Sequence, residues 1–254
     1  MNSFRMKALS LAVLGLVGFG AMGSAMAACP LSPVPPWDSQ STTNATLAVT
    51  PGGLNGTGCK LSVGVSAGAQ VNAKAFVSNT SGPSNEARYR ARFYVETTGL
   101  TGLTAANRQV FIASAQATTA PVGRGLAEVN VLMAGGTTPS FAFLVADDSQ
   151  ASGFSTITVP FPDNSGEYRV EFDLQKGSPG SFRCWVTTAA AVTADNTPTP
   201  AACASTPVSN AGWGGISRFN LGFANISQQA RANLVAQILS LDEFDSRRQT
   251  FIGK

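Results

Sequence analysis

Histidine is missing from the sequence altogether, and with it goes the commonest general base and transition-metal ligand of proteins. Ser-His-Asp and Cys-His nucleophilic chemistry and His-ligated zinc hydrolysis are thereby excluded. Charge is scarce too, since Asp, Glu, Lys and Arg make up 12% of the residues. With Arg5 and Lys7 of the opening segment set aside, the remaining basic residues nearly balance the 14 acidic ones. No electrostatic excess points to a nucleic acid or an anionic membrane as partner. Long apolar runs are also lacking. The best one, over 8–19, is followed and broken by Gly15, Gly18, Gly20 and Gly23 before it reaches the roughly 20 residues of a membrane-spanning helix.

That run follows Arg5 and Lys7 and leads into Ala25-Met26-Ala27, the layout of a secretory signal peptide over 1–27 with a small-residue cleavage site. The expectation is a bacterial protein exported to the periplasm or medium, with 28–254 as one β domain and no membrane insertion once the leader is removed. Four cysteines remain: Cys29, Cys59, Cys184 and Cys203. An even count in an oxidising compartment reads as bridges. Three connectivities exist. Cys29 with Cys59 and Cys184 with Cys203 is favoured, because each pair closes a local loop worth about 3 kcal/mol of chain entropy. The first would pin a Pro-rich arm (28–44), and the second would tie off an Ala/Thr/Pro-rich insertion (187–212).

Short runs of β-branched and aromatic residues alternate with Gly, Pro, Asn, Asp and Ser clusters, the spacing of a sandwich or barrel. The expected fold is all-β, a two-sheet antiparallel jelly-roll sandwich. Strands are predicted over 45–50, 60–65, 89–96, 108–114, 127–133, 140–146, 155–159, 167–174, 181–187, 217–224 and 235–250. The clearest alternation sets Tyr168, Val170, Phe172 and Leu174 on a core face and Glu167, Arg169, Glu171 and Asp173 on a wet one. Through a Gly/Pro turn it pairs with the run at 182–186 as a hairpin. Helix propensity also allows a helix over 226–239, but a loop at 227–233 followed by a long final strand is preferred.

Three stretches carry a resemblance: LAVTPGGLNGTGCKLSV (47–63), ARYRARFYVE (87–96) and LDEFDSRRQTFIG (241–253). The last is the most specific, with SRRQT followed by an aromatic, Ile and Gly. Together they resemble a group of exported bacterial proteins with laminin-G-like, or concanavalin-like, jelly rolls. The resemblance implies a two-sheet sandwich whose first and last strands lie close together, and it implies no activity. Cys59 and the Cys184 to Cys203 insertion depart from the group's pattern.

Concanavalin-like folds also host glycosidases, one family of which carries Glu-x-Asp-x-x-Glu along a strand. Glu171 and Asp173 fit its first two positions, but Lys176 stands where the third carboxylate should be, so the second carboxyl role is unfilled. A solvated strand face is the simpler reading. Arg88, Arg90 and Arg92 could grip an acidic glycan through bidentate guanidinium contacts, or, preferably, ladder with Glu167, Glu171 and Asp173. Trp213, among Gly212, Gly214 and Gly215, is the best candidate for an exposed sugar-stacking ring, and Trp37 is a weaker one. Trp185 reads as core. Asp147 and Asp148, like Asp242, Glu243 and Asp245, lack the spacing of a calcium loop, and water suffices for them. No cofactor is expected. The protein is read as a non-enzymatic sandwich acting in glycan recognition or envelope structure, with a glycan or an envelope protein as partner. A glycoside-active enzyme and a purely structural module are its rivals.

Overall fold

The computed structural model describes residues 29, 37–66, 72–100, 109–120, 125–134, 138–191, 201–226, 237–247 and 252. The signal peptide expected over 1–27 and the loop expected over 227–233 lie outside the described residues. So do residues 192–200 of the insertion.

Fourteen strands are described: β1 Ser39–Thr43, β2 Ala45–Pro51, β3 Cys59–Val65, β4 Lys74–Asn79, β5 Arg88–Glu96, β6 Gln109–Ala117, β7 Ala127–Ala134, β8 Thr138–Ala146, β9 Phe154–Pro160, β10 Glu167–Gln175, β11 Gly180–Thr188, β12 Cys203–Val208, β13 Ile216–Ile226 and β14 Gln237–Arg247. They form two antiparallel sheets of seven. Sheet A runs β1-β4-β13-β6-β7-β8-β9 and sheet B runs β12-β11-β10-β5-β14-β3-β2. The facing sides bury a shared apolar core, so the molecule is a two-sheet jelly-roll sandwich. The three segments that carry the resemblance are neighbours, contributing β5, β14, β3 and β2 of sheet B. Trp37 stacks on Phe244 of β14, centroids 4.7 Å apart, so the start and end of the described fold touch.

The core follows from the period-two pattern. Tyr89, Ala91, Phe93 and Val95 of β5, and Tyr168, Val170, Phe172 and Leu174 of β10, point inward and are fully buried. Phe172 stacks between Phe182 and Phe219 at 5.9 and 6.3 Å. Each such ring contributes on the order of 2–3 kcal/mol by leaving water. The β10–β11 hairpin pairs Val170 with Val186 and Leu174 with Phe182. Two disulfides staple the sandwich. Cys29–Cys59 sits at the start of β3 with Cα atoms 5.9 Å apart. Cys184–Cys203 joins opposed residues of β11 and β12 at 5.1 Å.

Three strands go beyond the sequence expectation. β1 is polar and exposed on an edge, β12 carries Pro207 on the other sheet's edge, and β4 is six residues long and ends in buried Ser78 and Asn79. None of them shows a long alternation of apolar and polar residues. The preferred final strand exists, starting at Gln237.

The wet face expected of β10 is a correction. Arg169, Glu171 and Asp173 are all within 3% of complete burial. They lie on the outer side of sheet B, away from the core, under cover that distant parts of the chain bring. One contributor is Leu54 of the 3₁₀ turn Leu54–Gly56, which clusters with Tyr94 and Ala189. Another is Ile252, 2% exposed.

Candidate functional site

The outer face of sheet B gathers most of the charged side chains weighed from sequence, in cross-strand rows. One row runs Asp242, Tyr94, Arg169, Thr187. The next runs Asp245, Arg92, Glu171, Trp185, and the third runs Arg247, Arg90, Asp173, Arg183. Residues two apart share a face of a pleated strand, so the alternations of β5 and β10 place these groups side by side. β14 keeps step only through a bulge between Asp242 and Asp245, where Glu243 adopts φ +51°. That left-handed backbone is uncommon outside glycine. It turns the Glu243 carbonyl and carboxylate toward Arg92, at 2.9 and 3.4 Å.

Asp173 is the hub of one end. It accepts Arg88 Nε at 3.0 Å and Nη2 at 2.8 Å, Arg90 Nη2 at 2.9 Å and Arg183 Nη2 at 2.9 Å. Burial alone would raise its pKa. The hydrogen bonds and charges of Arg88 and Arg90 override it and hold the carboxyl at about 2. The single charge of Asp173 offsets one of three guanidinium groups. Two of them reach the surface, Arg88 at 32% and Arg183 at 46% side-chain exposure. Arg90 and Arg183 both lie over the Trp185 ring, at 5.3 and 5.7 Å.

Glu171, two residues away on the same face, is treated differently. It is fully buried, pairs with Arg169 and accepts the backbone N–H of Ile252 at 3.1 Å. Here burial prevails over Arg169 and the amide, and the carboxyl is pushed above its usual range. Burial likewise lowers the Arg169 pKa against the opposing charge of Glu171. In the adjoining row the Tyr94 hydroxyl is buried without a hydrogen-bond partner, and burial raises its pKa.

The arginine ladder thus differs from the one expected. Arg88 and Arg90 share Asp173, Arg92 turns to Glu243, Glu171 belongs to Arg169, and Glu167 is exposed. Trp185 is buried but on the charged face, outside the inter-sheet core. Trp213 is not an exposed platform. It is 2% exposed, packs edge-on against Phe154 at 5.8 Å and donates Nε1–H to Asp148 at 2.9 Å. Its flanking glycines serve close backbone approach instead, since a Cβ at Gly215 would stand 2.3 Å from the Asn85 carbonyl oxygen. Trp37 is half-buried on Phe244.

The acidic clusters are occupied by protein donors. Asp147 accepts the Ser149 N–H and hydroxyl, the Ser155 hydroxyl and the Ser209 N–H, at 2.6–3.1 Å. Burial opposes these bonds, yet they hold its carboxyl at about 2. Asp242 accepts from the Leu54 N–H and the Thr57 hydroxyl, and Asp245 pairs with Arg247. Among the described residues no group of three or more His, Cys, Asp or Glu is placed to hold a metal ion, and no helix is long and apolar enough to cross a membrane. Sequence reasoning missed Arg169, Arg183, Tyr94 and Ile252. Arg169 was visible in the β10 alternation, whereas Ile252 had no periodic signal to mark it.

No family model matches the chain, and no curated protein matches it. Solved structures do. An endo-β-1,4-glucuronan lyase from the fungus Trichoderma reesei superposes with a TM-score of 0.59 at 12% identity, covering 84% of this chain and 91% of that one. The alginate lyase Aly36B gives 0.54 at 11%, covering 76% and 82%. The cellulose-induced protein Cip1 gives 0.52 at 15%, covering 83% and 90%. At these identities the likeness is one of fold.

Proposed function

We propose that this protein is an exported glycan-recognition sandwich, and that its ligand is an acidic polysaccharide held at the outer face of sheet B. The observation that carries the reading is the sharing of Asp173 among Arg88, Arg90 and Arg183. Two forked guanidinium groups at the surface, in excess over the carboxylate between them, suit the carboxylates or sulfates of a sugar chain. The Trp185 ring lies beneath Arg183 and the buried Arg90 and supports the surface-reaching Arg183. The two disulfides suit an oxidising compartment outside the cytoplasm. Two of the solved neighbours are named for uronate polymers, which supports the ligand class by fold analogy alone.

Calorimetric titration with polygalacturonate, alginate and a neutral glucan tests this. Binding of the charged polymers, weakening with salt and falling about tenfold in Arg183→Ala, is the expected result. Equal binding of the neutral glucan, or none of any polymer, overturns it.

One observation favours a second reading. Glu171 and Asp173 are pushed in opposite pKa directions, as an acid and a nucleophile of a retaining glycosidase would be. Against it, Asp173 spends its oxygens on four guanidinium hydrogen bonds and Glu171 is sealed beneath Ile252. Release of reducing ends from a polysaccharide, abolished by Glu171→Gln, would establish hydrolysis.

A further inference from the structure

We propose that β9 is a self-pairing edge, through which a second copy of this protein joins sheet A to form one continuous antiparallel sheet. β9 ends sheet A, and among the described strands it pairs with β8 alone. Bare margins are ordinarily blunted by charge, proline or a bulge. β12, its neighbour on the margin of sheet B, carries Pro207 and a break in register. β9 reads FSTITVP, with no charge and with its proline at the very end, and it keeps unbroken register with β8. Thr156, Thr158 and Pro160 are exposed, and half-buried Ser155, Ile157 and Val159 alternate with them.

The ladder with β8 fixes which backbone groups face outward. At one end the Asp147 N–H bonds the Gly153 carbonyl, and at the other the Phe161 N–H bonds the Pro139 carbonyl. Hydrogen-bonded pairs of an antiparallel ladder recur at every second residue, so Ser155, Ile157 and Val159 turn their N–H and C=O groups toward β8. Thr156 and Thr158 turn theirs away. The outward groups of Phe154 are met by the Ser152 hydroxyl, which accepts the N–H at 3.3 Å and donates to the carbonyl at 2.9 Å. Pro160 has no N–H to offer. The pairing surface is therefore the backbone of the two threonines, bounded on both sides.

Such a surface fits itself. In an antiparallel pair of two β9 strands centred on Ile157, Thr156 stands opposite the partner's Thr158, and Thr158 opposite the partner's Thr156. Each opposition exchanges both of its N–H and C=O groups, so the two-fold contact uses every outward group of the threonines. Centring the pair on either threonine instead sets the other one opposite capped Phe154 or donorless Pro160. The central register also places Ile157 against the partner's Ile157 at a non-hydrogen-bonded position, where side chains approach most closely. Ile157 and Val159 already pack on the core from this margin, and the second copy covers the apolar surface they leave half exposed. Thr–Thr pairs across neighbouring strands add to the contact. One edge ladder covers less area than a standard interface, so a dissociation constant on the order of micromolar is expected.

Sedimentation equilibrium of the purified protein over a range of concentrations tests this, alongside two variants altered at the same exposed positions. Thr156→Lys/Thr158→Lys sets like charges opposite each other across the dimer, whereas Thr156→Lys/Thr158→Glu sets opposite charges there. The unaltered protein should double its mass as its concentration rises through the micromolar range. The first variant should dissociate about tenfold more readily, and the second should stay within about threefold of the unaltered protein. In the unaltered protein, exchange of the Thr156 and Thr158 amide protons, followed by NMR, should slow as the dimer forms. That measurement stands even if either variant fails to fold. A mass that stays monomeric at every concentration, with both amides exchanging at a constant rate, overturns the proposal and leaves this margin to a strand of some other protein. Equal association of all three forms, or an equal loss in both variants, overturns it as well.

Discussion

Asp173 and Glu171 sit two residues apart on one strand and face the same way, yet their surroundings drive them in opposite directions. Arg88 and Arg90 outweigh the burial of Asp173 and hold it at about 2, while Glu171, with Arg169 and one amide, is dominated by burial and rises. The difference lies in what the neighbouring strands bring. β5 brings the hydrogen-bonding Arg88 and Arg90 to Asp173, and β11 sets Arg183 opposite Asp173 but Trp185 opposite Glu171. Identical chemistry on one strand is thus tuned by register, through the number of charge-assisted donors that outweigh desolvation.

Removing the hub is the sharpest way to break the contrast. Asp173→Asn would leave the buried Arg90 without its carboxylate, and a loss of about 3–5 kcal/mol in urea unfolding is expected. A loss no larger than that of Glu171→Gln would show the two carboxylates to be equivalent. Next comes acid. Because the folded pKa of Asp173 lies below the ordinary 3.8, its contribution is full above about pH 4 and fades as pH falls toward 2. It is worth about 2 kcal/mol and should be missing from the acid limb of Asp173→Asn. Glu171 has the opposite sign. Its folded pKa lies above 4.5, so its contribution is full below that value and is lost as pH rises through the folded pKa. Glu171→Gln removes a charge the site already disfavours, and a cost of about 1–2 kcal/mol is expected, together with loss of that slope in denaturation measured across pH. Smallest of all, Arg183→Ala at the exposed rim should cost under about 1 kcal/mol in stability, its effect appearing in glycan titration instead.

Much of the sandwich was legible because burial between two sheets writes a period of two into β5 and β10. The covered outer face was not legible. Tyr168 and Val170 advertise the core they enter, but nothing in the Glu167 to Asp173 alternation announces that Leu54 and Ile252 will arrive from elsewhere to exclude water. A strand alternating charged and apolar residues looks the same whether its charged side meets solvent or a second layer of chain. The glycines around Trp213 misled for a related reason. Glycines beside a tryptophan suggest an exposed ring, whereas Gly215 leaves room for the Asn85 carbonyl. Edge strands β1 and β12 escaped notice because an edge needs little apolar content.

β14 occupies an interior place in sheet B, zipped between β5 and β3, although it is made after every other described strand. Its partners, Arg88–Glu96 and Cys59–Val65, emerge from the ribosome long before it, each with one hydrogen-bonding margin vacant. Such margins are templates for wrong pairing between chains, and closing so wide a loop is slow. The topology therefore favours folding after synthesis over folding during it. A nascent chain halted before Arg247 would be a species for chaperones to guard.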